Sequence, residues 1–228
     1  VVQHYMPQVN KVNKPAQGGT ATNNFRPAAG QANLPGVLPV RQNWPRATVF
    51  LLTVILGVTA DLATKDWIFS HLGMPGEQPV WWIIDGVCGF QTSLNEGALF
   101  GMGQGFSLIF AILSLVFAGG IVIWVLTGSG LRSWWLTLSL GAITAGILGN
   151  LYDRLGLHGL RWPQGIPGHQ AGEPVYAVRD WILVMIGKWP WPNFNIADSL
   201  LVCGVAVLMV YTLFFTEGPA STPDRKSV

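Results

Sequence analysis

Two aspartates, Asp180 and Asp198, are the residues of this chain whose type and setting best fit chemistry. Asp180 lies in an apolar stretch, and Asp198 lies near the start of an apolar run that extends from Ile196 to Phe215. An ionisable side chain inside a membrane helix costs about 2.5 to 3.5 kcal/mol even on the lenient insertion scale, so a retained one is a candidate functional residue. Two carboxyl groups that share a proton can activate water and protonate a leaving amine. The pair therefore predicts acid/base hydrolysis of a membrane-embedded substrate.

The surroundings of these two carboxyl groups differ. Asp198 falls in the first turn of a predicted helix with Asn195 as its cap, where the helix dipole favours the ionised form. Asp180 is followed by apolar residues from Trp181 onward, and desolvation there disfavours a charge. The first environment suits a base and the second suits an acid.

Further polar residues cluster near the predicted ends of other helices. Asp61 and Lys65 are four residues apart, so they share a helix face and can form an ion pair or take a direct part in the chemistry. Asn150, Asp153 and Arg154 also share a face. The Arg fork could hold carboxylates in a fixed geometry there, or Asp153 and Arg154 could only brace the helix end.

Residues 95–101 combine an amide with small residues. Asn95 could bind a substrate carbonyl, and Gly97 permits a close approach of the backbone. Small residues of this kind are also common in helix packing, so the segment by itself indicates no particular function.

The composition predicts an all-α integral membrane protein. Half of the residues are hydrophobic and only 11% are charged, while eleven Trp and eleven Phe suit interfacial anchoring and contact with lipid. Stretches long enough to cross about 30 Å of hydrocarbon predict four transmembrane helices. They are Ala47–Trp67, Phe106–Leu126, Trp134–Leu151 and Ile196–Phe215.

The chain is predicted to have three parts: a disordered basic tail (1–45), a membrane domain that contains the four helices (46–216) and a short C-terminal tail (217–228). Between the first two helices, Trp81–Leu94 is rich in strand-forming residues and predicts a small extracytoplasmic β-sheet. Residues 68–94 could act as a lid. Residues 155–177 are rich in Gly, Pro and His and predict an exposed loop.

The distribution of charge predicts the orientation. One side of the membrane would carry two acids, Glu217 and Asp224, and eight basic residues: Lys11, Lys14, Arg26, Arg41, Arg46, Arg132, Arg225 and Lys226. By the positive-inside rule this side is cytoplasmic, so both termini are inside and the aspartate pair lies on the extracytoplasmic side.

Five short motifs occur in an order that resembles the lipoprotein signal peptidases, also called signal peptidase II. The resemblance runs from about Ala47 to Phe215 and rests on Asp61-x-x-x-Lys65, Asn95-x-Gly97-Ala98-x-Phe100-Gly101, Gly149-Asn150-x-x-Asp153-Arg154, Val178-x-Asp180-x-Ile182 and Phe194-Asn195-x-Ala197-Asp198. Three departures are Leu99 in place of Ala, Trp181 in place of Phe, and 25 residues between Arg154 and Asp180 where the family commonly has fewer than about ten.

The resemblance implies a four-helix membrane fold with an extracytoplasmic sheet in the bacterial inner membrane. It implies an aspartic endopeptidase that cuts a diacylglyceryl-modified prolipoprotein just before the lipidated Cys, with no cofactor or metal. Its partners would be lipidated substrates and membrane lipid, with no nucleic acid, and the chain would be a monomer. The catalytic pair would be Asp180 and Asp198. Residues that support this pair or hold substrate would be Asp61, Lys65, Asn95, Gly97, Asn150, Asp153, Arg154, Asn195 and Ala197.

Three other functions are compatible with parts of the sequence. A small proton-coupled transporter could use the same acids as a relay, although they cluster at one surface and no inverted repeat is visible. A Ser/Lys peptidase could use Ser93 and Lys65. A metal site could use His158, His169 and Glu173, although their spacing matches no ligand motif.

Overall fold

The computed structural model describes residues 43–97 and 105–215. Most of the two predicted tails (1–45 and 217–228) and residues 98–101 of the Asn95–Gly101 motif lie outside these ranges. The described part contains four α-helices: α1 (Trp44–Leu72), α2 (Ser107–Leu126), α3 (Trp134–Arg154) and α4 (Ile196–Phe215). It also contains four strands: β1 (Trp81–Ile84), β2 (Cys88–Asn95), β3 (Val178–Ile186) and β4 (Trp189–Phe194).

All four helices are long and apolar enough to cross a membrane, which confirms the four predicted spans. Helix α1 extends beyond the predicted Ala47–Trp67 at both ends. It begins with Pro45 in its first turn, where the missing N–H of proline costs no hydrogen bond. It ends at Leu72 and is capped by Gly73, whose φ of 69° is accessible to glycine without strain.

Helix α3 forms the centre of the bundle and packs against α1, α2 and α4. In its most apolar window 67% of the residues are buried, against 11 to 17% in the other three helices, whose apolar side chains face outward as a membrane protein requires. Small residues permit this central position. A Cβ on Gly141 would lie 2.9 Å from Thr53 Cβ of α1, and one on Gly146 would overlap the carbonyl of Ala197 in α4.

The two ends of the bundle are different. At one end, Arg46 at the start of α1 donates hydrogen bonds from Nη1 to the carbonyls of Leu131 and Arg132, at 2.7 and 2.9 Å, in the turn between α2 and α3. At the opposite end lie the two long connections, from α1 to α2 and from α3 to α4. These connections contain all four strands, so we call this end the sheet end.

The sheet is antiparallel throughout, with strand order β1-β2-β3-β4. The predicted small sheet after the first helix is confirmed, but half of the strands come from residues 178–194, outside the predicted Trp81–Leu94. Buried residues run continuously from Val178 to Trp181, so β3 lacks the alternation of polar and apolar residues that marks a half-exposed strand. Pro190 and Pro192 are tolerated because β4 is an edge strand.

Residues 155–177 differ in part from the predicted exposed loop. Their tip is largely exposed, and an isolated antiparallel bridge joins Arg161 to Pro174. Their C-terminal part is buried: Val175 and Ala177 have no exposed surface, and Ser107 of α2 donates a hydrogen bond to the carbonyl of Tyr176. The segment is therefore fastened to the bundle just before β3.

Candidate active site

The aspartate pair lies at the sheet end, where β3 and α4 meet. Asp180 is in β3, opposite Ser93 of β2, and Asp198 is in the first turn of α4. One side chain joins them: Asn195 donates from Nδ2 to Asp180 Oδ1 at 2.6 Å and accepts at Oδ1 from the backbone N–H of Asp198 at 2.9 Å. The structure therefore brings together two carboxyl groups that are eighteen positions apart in the sequence, one on a strand and one on a helix.

The start of α4 explains how Asn195 can hold this position. Its side chain caps the helix through the N–H of Asp198, as the sequence predicts, and its own N–H donates to Asp198 Oδ2 at 3.3 Å. This reciprocal arrangement satisfies N–H groups that the first helical turn leaves without intrahelical partners. The cap and the site are thus built from the same residues.

Asn150 of α3 is the second amide of the site. Its Oδ1 accepts from Lys65 Nζ and from Asn195 Nδ2, both at 3.1 Å, and its Nδ2 donates to Asp198 Oδ1 at 2.8 Å. Two donors on one side and a carboxylate on the other leave only one favourable orientation of the amide. Asn150 therefore orients Asp198 from the helix that forms the core of the bundle.

Lys65 is fully buried and binds three oxygen atoms. Its Nζ lies 2.7 Å from Asp61 Oδ2, 3.1 Å from Asn150 Oδ1 and 3.1 Å from Asp153 Oδ2. These contacts match the three hydrogens of an ammonium group. Asp61 in turn accepts at Oδ1 from the backbone N–H of Ala197 at 2.9 Å, so the ion pair predicted within α1 also fixes the start of α4. Asp61 and Lys65 thus form the ion pair that was one of the two roles predicted for them.

The partner of Asp153 differs from the one that the sequence suggested. Asp153 and Arg154 do not pair. Instead Asp153 Oδ1 accepts from Arg179 Nε at 3.0 Å, and its Oδ2 accepts from the backbone N–H of Arg179 at 3.0 Å. The reason is geometric, because neighbouring residues point to different sides of a helix, and the buried strand β3 brings an Arg to the face that carries Asp153. Arg179 occupies an unspecified position of the Val-x-Asp motif, and nothing in the sequence pattern marked it.

Arg154 points to a different part of the site. It donates from Nη2 to the carbonyl of Gly97 at 3.0 Å and stacks over Phe110 with 5.6 Å between Cζ and the ring centre. Its Nε is buried and has no hydrogen-bond partner among the described residues. Gly97 belongs to a turn in which its N–H donates to Asn95 Oδ1 at 3.0 Å. The predicted carbonyl-binding segment and the predicted Arg are therefore neighbours.

Two cavities reach the aspartate pair from different sides. The first has a volume of about 300 Å³, and its lining includes the polar residues Asn150, Arg154 and Asp198. The rest of its wall is largely apolar. It comes from α2, α3 and α4 through Phe110, Leu113, Phe117, Ile147 and Leu201, and from residues of β3 and β4. The second, of about 410 Å³, contains Asp180 and polar residues of β2 and β4, including Gln91, Thr92, Ser93 and Asn193. Asn95 borders both cavities, so a chain that passes the carboxyl pair can have an apolar part on one side and a polar part on the other.

The environment of Asp180 raises the pKa of its carboxyl group to about 8. Burial is the main cause, since the side chain is almost completely enclosed, and the charge of Asp198 raises the pKa further. Lys65 and the hydrogen bond from Asn195 act in the opposite direction but are weaker. Asp180 is therefore protonated at neutral pH, in the direction expected from its apolar neighbours.

The residues of the alternative chemistries have other surroundings. The contacts of Lys65 Nζ are with Asp61, Asn150 and Asp153, and none of them involves Ser93. His158 accepts from the N–H of Leu160, whereas His169 stacks on Trp162 at 3.9 Å between ring centres. The described residues include no group of three His, Cys, Asp or Glu side chains placed to hold a metal ion. These contacts supply no nucleophile–base pair and no ligand set.

Comparison with known proteins gives the family. The family model described as signal peptidase (SPase) II matches residues 53–214, which include both aspartates and all the helices except the first part of α1 and the last residue of α4. The chain belongs to the signal peptidase II family. The resemblance carried by the five motifs is thereby confirmed.

Relatives of this family are similar over most of the chain. A lipoprotein signal peptidase of Rhodopirellula baltica is 46% identical over 181 residues, covering 78% of either chain. One of Rhodococcus jostii is 39% identical over 169 residues, covering 73% of this chain and 74% of the relative. A bacterial membrane enzyme solved by the in meso method at 2.3 Å resolution has the same fold, with a TM-score of 0.57, 23% identity, and coverage of 76% of this chain and 95% of that one.

Membership of the signal peptidase II family defines the type of enzyme. The chain is an aspartic endopeptidase that removes signal peptides. It is a multi-pass protein of the bacterial inner membrane, in agreement with its four apolar helices.

Proposed function

We propose that Asp180 and Asp198 are the catalytic pair with which this enzyme removes signal peptides from prolipoproteins. The main support is the shared pair of amides. Asn195 donates from its side chain to the Asp180 carboxyl group and from its backbone N–H to that of Asp198, at 2.6 and 3.3 Å. Asn150 contacts Asp198 and Asn195 at 2.8 and 3.1 Å. Buried polar side chains whose hydrogen bonds are satisfied hold catalytic groups in a fixed geometry before the substrate arrives.

The unequal environments of the pair support different roles. Asp180, with a pKa of about 8, carries a proton at neutral pH and can donate it to the leaving amine. Asp198 lies at a helix N-terminus, which suits a carboxylate that accepts a proton from the attacking water. Water attacks the scissile carbonyl as Asp198 takes its proton, and the C–N bond breaks as Asp180 protonates the amine. The two carboxyl groups have then exchanged protonation states, and return of the proton from Asp198 to Asp180 completes the cycle.

The other polar residues of the site have supporting roles in this proposal. Asp61, Lys65 and the backbone of Ala197 hold α1 against α4, while Asp153 supports Lys65. Asn95 and Arg154 line the first cavity, and Gly97 is hydrogen-bonded to both, so these polar groups can hold the substrate backbone.

The two cavities suggest how a lipidated substrate is bound. The largely apolar cavity beside Asp198 suits the first part of an acyl chain of a diacylglyceryl-modified prolipoprotein. The rest of the acyl chains and the signal helix would lie in the bilayer alongside the helices. The polar cavity suits the chain that continues into water. Cleavage then falls just before the lipidated Cys. Membrane lipid borders the helices, and the enzyme works as a monomer without a metal.

The charge asymmetry supports an orientation with both termini in the cytoplasm. The bundle end opposite the sheet carries Arg46 and Arg132, and the terminal segments carry most of the remaining basic residues. The sheet end and the aspartate pair then lie on the extracytoplasmic side, and residues 68–94, including β1 and most of β2, border the entrance as a lid.

Cleavage of a matched pair of synthetic precursors tests this function. Purified enzyme is incubated with a diacylglyceryl-modified precursor peptide and with the same peptide lacking lipid, in the presence and absence of a chelator. We expect cleavage of the lipidated peptide before the modified Cys, little cleavage of the other peptide, and no effect of the chelator. Equal cleavage of both peptides would contradict lipid recognition, and activity that zinc restores after chelation would contradict the aspartate pair.

A further inference from the structure

Arg179 is a buried cation immediately before Asp180 in β3, with only 2% of its surface exposed. Successive strand residues point to opposite faces, so its side chain leaves the sheet away from that of Asp180. Its Nε and Nη2 lie 3.0 and 2.9 Å from Asp153 Oδ1, and its Nη1 contacts Asp66. One side chain therefore connects β3 with α3 and α1.

The contacts continue from Arg179 to the aspartate pair. Asp153 Oδ2 is 3.1 Å from Lys65 Nζ, and Lys65 Nζ is 3.1 Å from Asn150 Oδ1. Asn150 then donates to Asp198 at 2.8 Å. Every member of this path between Arg179 and Asp198 is at most 5% exposed, so solvent screens their charges little.

The buried charges on this path balance only when Arg179 is counted. Asp61 and Asp153 are two carboxylates, and Lys65 alone neutralises one of them. Burial by itself would lower the pKa of Arg179, but Asp153 and Asp66 raise it above its ordinary value, so the guanidinium stays charged. Without the charge of Arg179, Lys65 would be the cation that neutralises both Asp61 and Asp153, and its contact with Asn150 would weaken.

We propose that Arg179 is a positioning residue that neutralises Asp153 and so keeps Lys65 on Asn150, which orients Asp198. The proposal rests on the assignment of Asp180 and Asp198 as the catalytic pair. The charged and titratable groups around the network belong to α1, α3, α4, β3 and the loop after α3. They are Asp61, Lys65, Asp66, Asp153, Arg154, His158, Asp180 and Asp198.

Charge-balanced and charge-unbalanced variants test the proposal. Arg179→Met removes the charge but keeps a long apolar side chain, Asp153→Asn removes the opposite charge, and the double variant removes both. Arg179→Lys keeps the charge without the fork. The values of kcat and KM per folded molecule and the pH dependence of kcat are measured with a lipidated precursor peptide.

We expect each single charge-removing variant to lower kcat at least tenfold with KM changed less than about threefold, because Arg179 lines neither of the two cavities. In Arg179→Met the uncompensated negative charge should move the alkaline limb of the pH profile to higher pH. The double variant should have a higher kcat than either single variant, and the alkaline limb of its pH profile should return to the position found in the unchanged enzyme. Arg179→Lys should retain most of the activity. If a single variant does not fold but the double variant folds and cleaves, charge balance is again supported.

Two results would overturn the proposal. One is a double variant no more active than the worse single variant, and the other is an Arg179→Met enzyme with normal kcat and an unmoved pH profile, whose only defect is a lower folded yield. A failure of the catalytic assignment is separate, because it would show as normal cleavage by folded Asp180→Asn or Asp198→Asn enzyme whatever the Arg179 variants do.

Discussion

Asn195 donates a hydrogen bond to Asp180 across 2.6 Å while the same side chain caps the helix that carries Asp198. The start of α4 cannot shift without moving the aspartate pair. A change that weakens the cap of α4 should therefore also disturb the geometry of the aspartate pair.

The first prediction separates the catalytic carboxylates from the supporting one. Asp180→Asn and Asp198→Asn retain size and hydrogen-bonding capacity but remove the acid/base function, so each should lower cleavage by several orders of magnitude. Their effects should not add, because either loss disables the pair. Asp153→Asn should lower the folded yield and leave measurable turnover per folded molecule. A folded Asp180→Asn enzyme that cleaves normally, next to a dead but folded Asp153→Asn enzyme, would show that the pair is misassigned.

The second prediction concerns pH. The pKa of Asp180 is raised to about 8, mainly by burial, so the proton needed for the leaving amine is present below that pH and is lost above it. Activity should fall as the pH rises through about 8, because an ionised Asp180 cannot protonate the leaving amine. The profile is measured as kcat/KM on a lipidated peptide. Asp85→Asn, in the exposed turn between β1 and β2, should leave it unchanged. A flat profile from pH 6 to 10 is incompatible with this role.

A third prediction concerns the close approach of α3 to α1. A Cβ on Gly149 would lie 2.5 Å from Asp61 Oδ2, which is fully buried and bound to Lys65. Gly149→Ala should displace Asp61 and lower kcat at least tenfold. Gly120→Ala in α2 is the matched control, because its Cβ would meet nothing within 4 Å and should leave cleavage unchanged. Equal activity of both variants would mean that this packing tolerates a methyl group.

A fourth prediction concerns the tip of the loop after α3. Replacing residues 163–172 with Asn-Gly keeps the bridge between Arg161 and Pro174 but removes His169, whose Nε2 lies 3.4 Å from Glu96 Oε1. Because Glu96 adjoins Asn95 and Gly97, the replacement should change the turnover number but not the position of the cut. The products are identified by mass spectrometry. Complete inactivity of a folded, inserted variant would assign the tip to the chemistry instead.

A fifth prediction tests the orientation. In a background with Cys88 and Cys203 replaced by Ser, single Cys residues at Gln78 and Gln170 should react with an impermeant thiol reagent applied outside intact spheroplasts. A Cys at Asn23 should react only after permeabilisation, because the basic tail is expected in the cytoplasm. Labelling of position 23 from outside would reverse the topology.

The sequence determined much of the fold because its signals are local. A helix must satisfy its own backbone hydrogen bonds in lipid, so the four apolar runs specify the four spans without reference to one another. The cap of Asn195 on Asp198 and the pair of Asp61 with Lys65 are equally local, since three or four residues separate the partners. The apolar neighbours of Asp180 and Asp198 in the sequence likewise showed that a charge at either position costs free energy, which marked both as candidate functional residues.

The tertiary structure decided the partners that lie far apart in the chain. Asp153 pairs with Arg179, 26 positions away, rather than with adjacent Arg154, and half of the sheet comes from residues after α3. The spacing of residues in the sequence does not predict these pairings, because they depend on the packing of β3 against α3. The pKa of Asp180 likewise depends on burial and on Asp198, two quantities that exist only once strand and helix have come together.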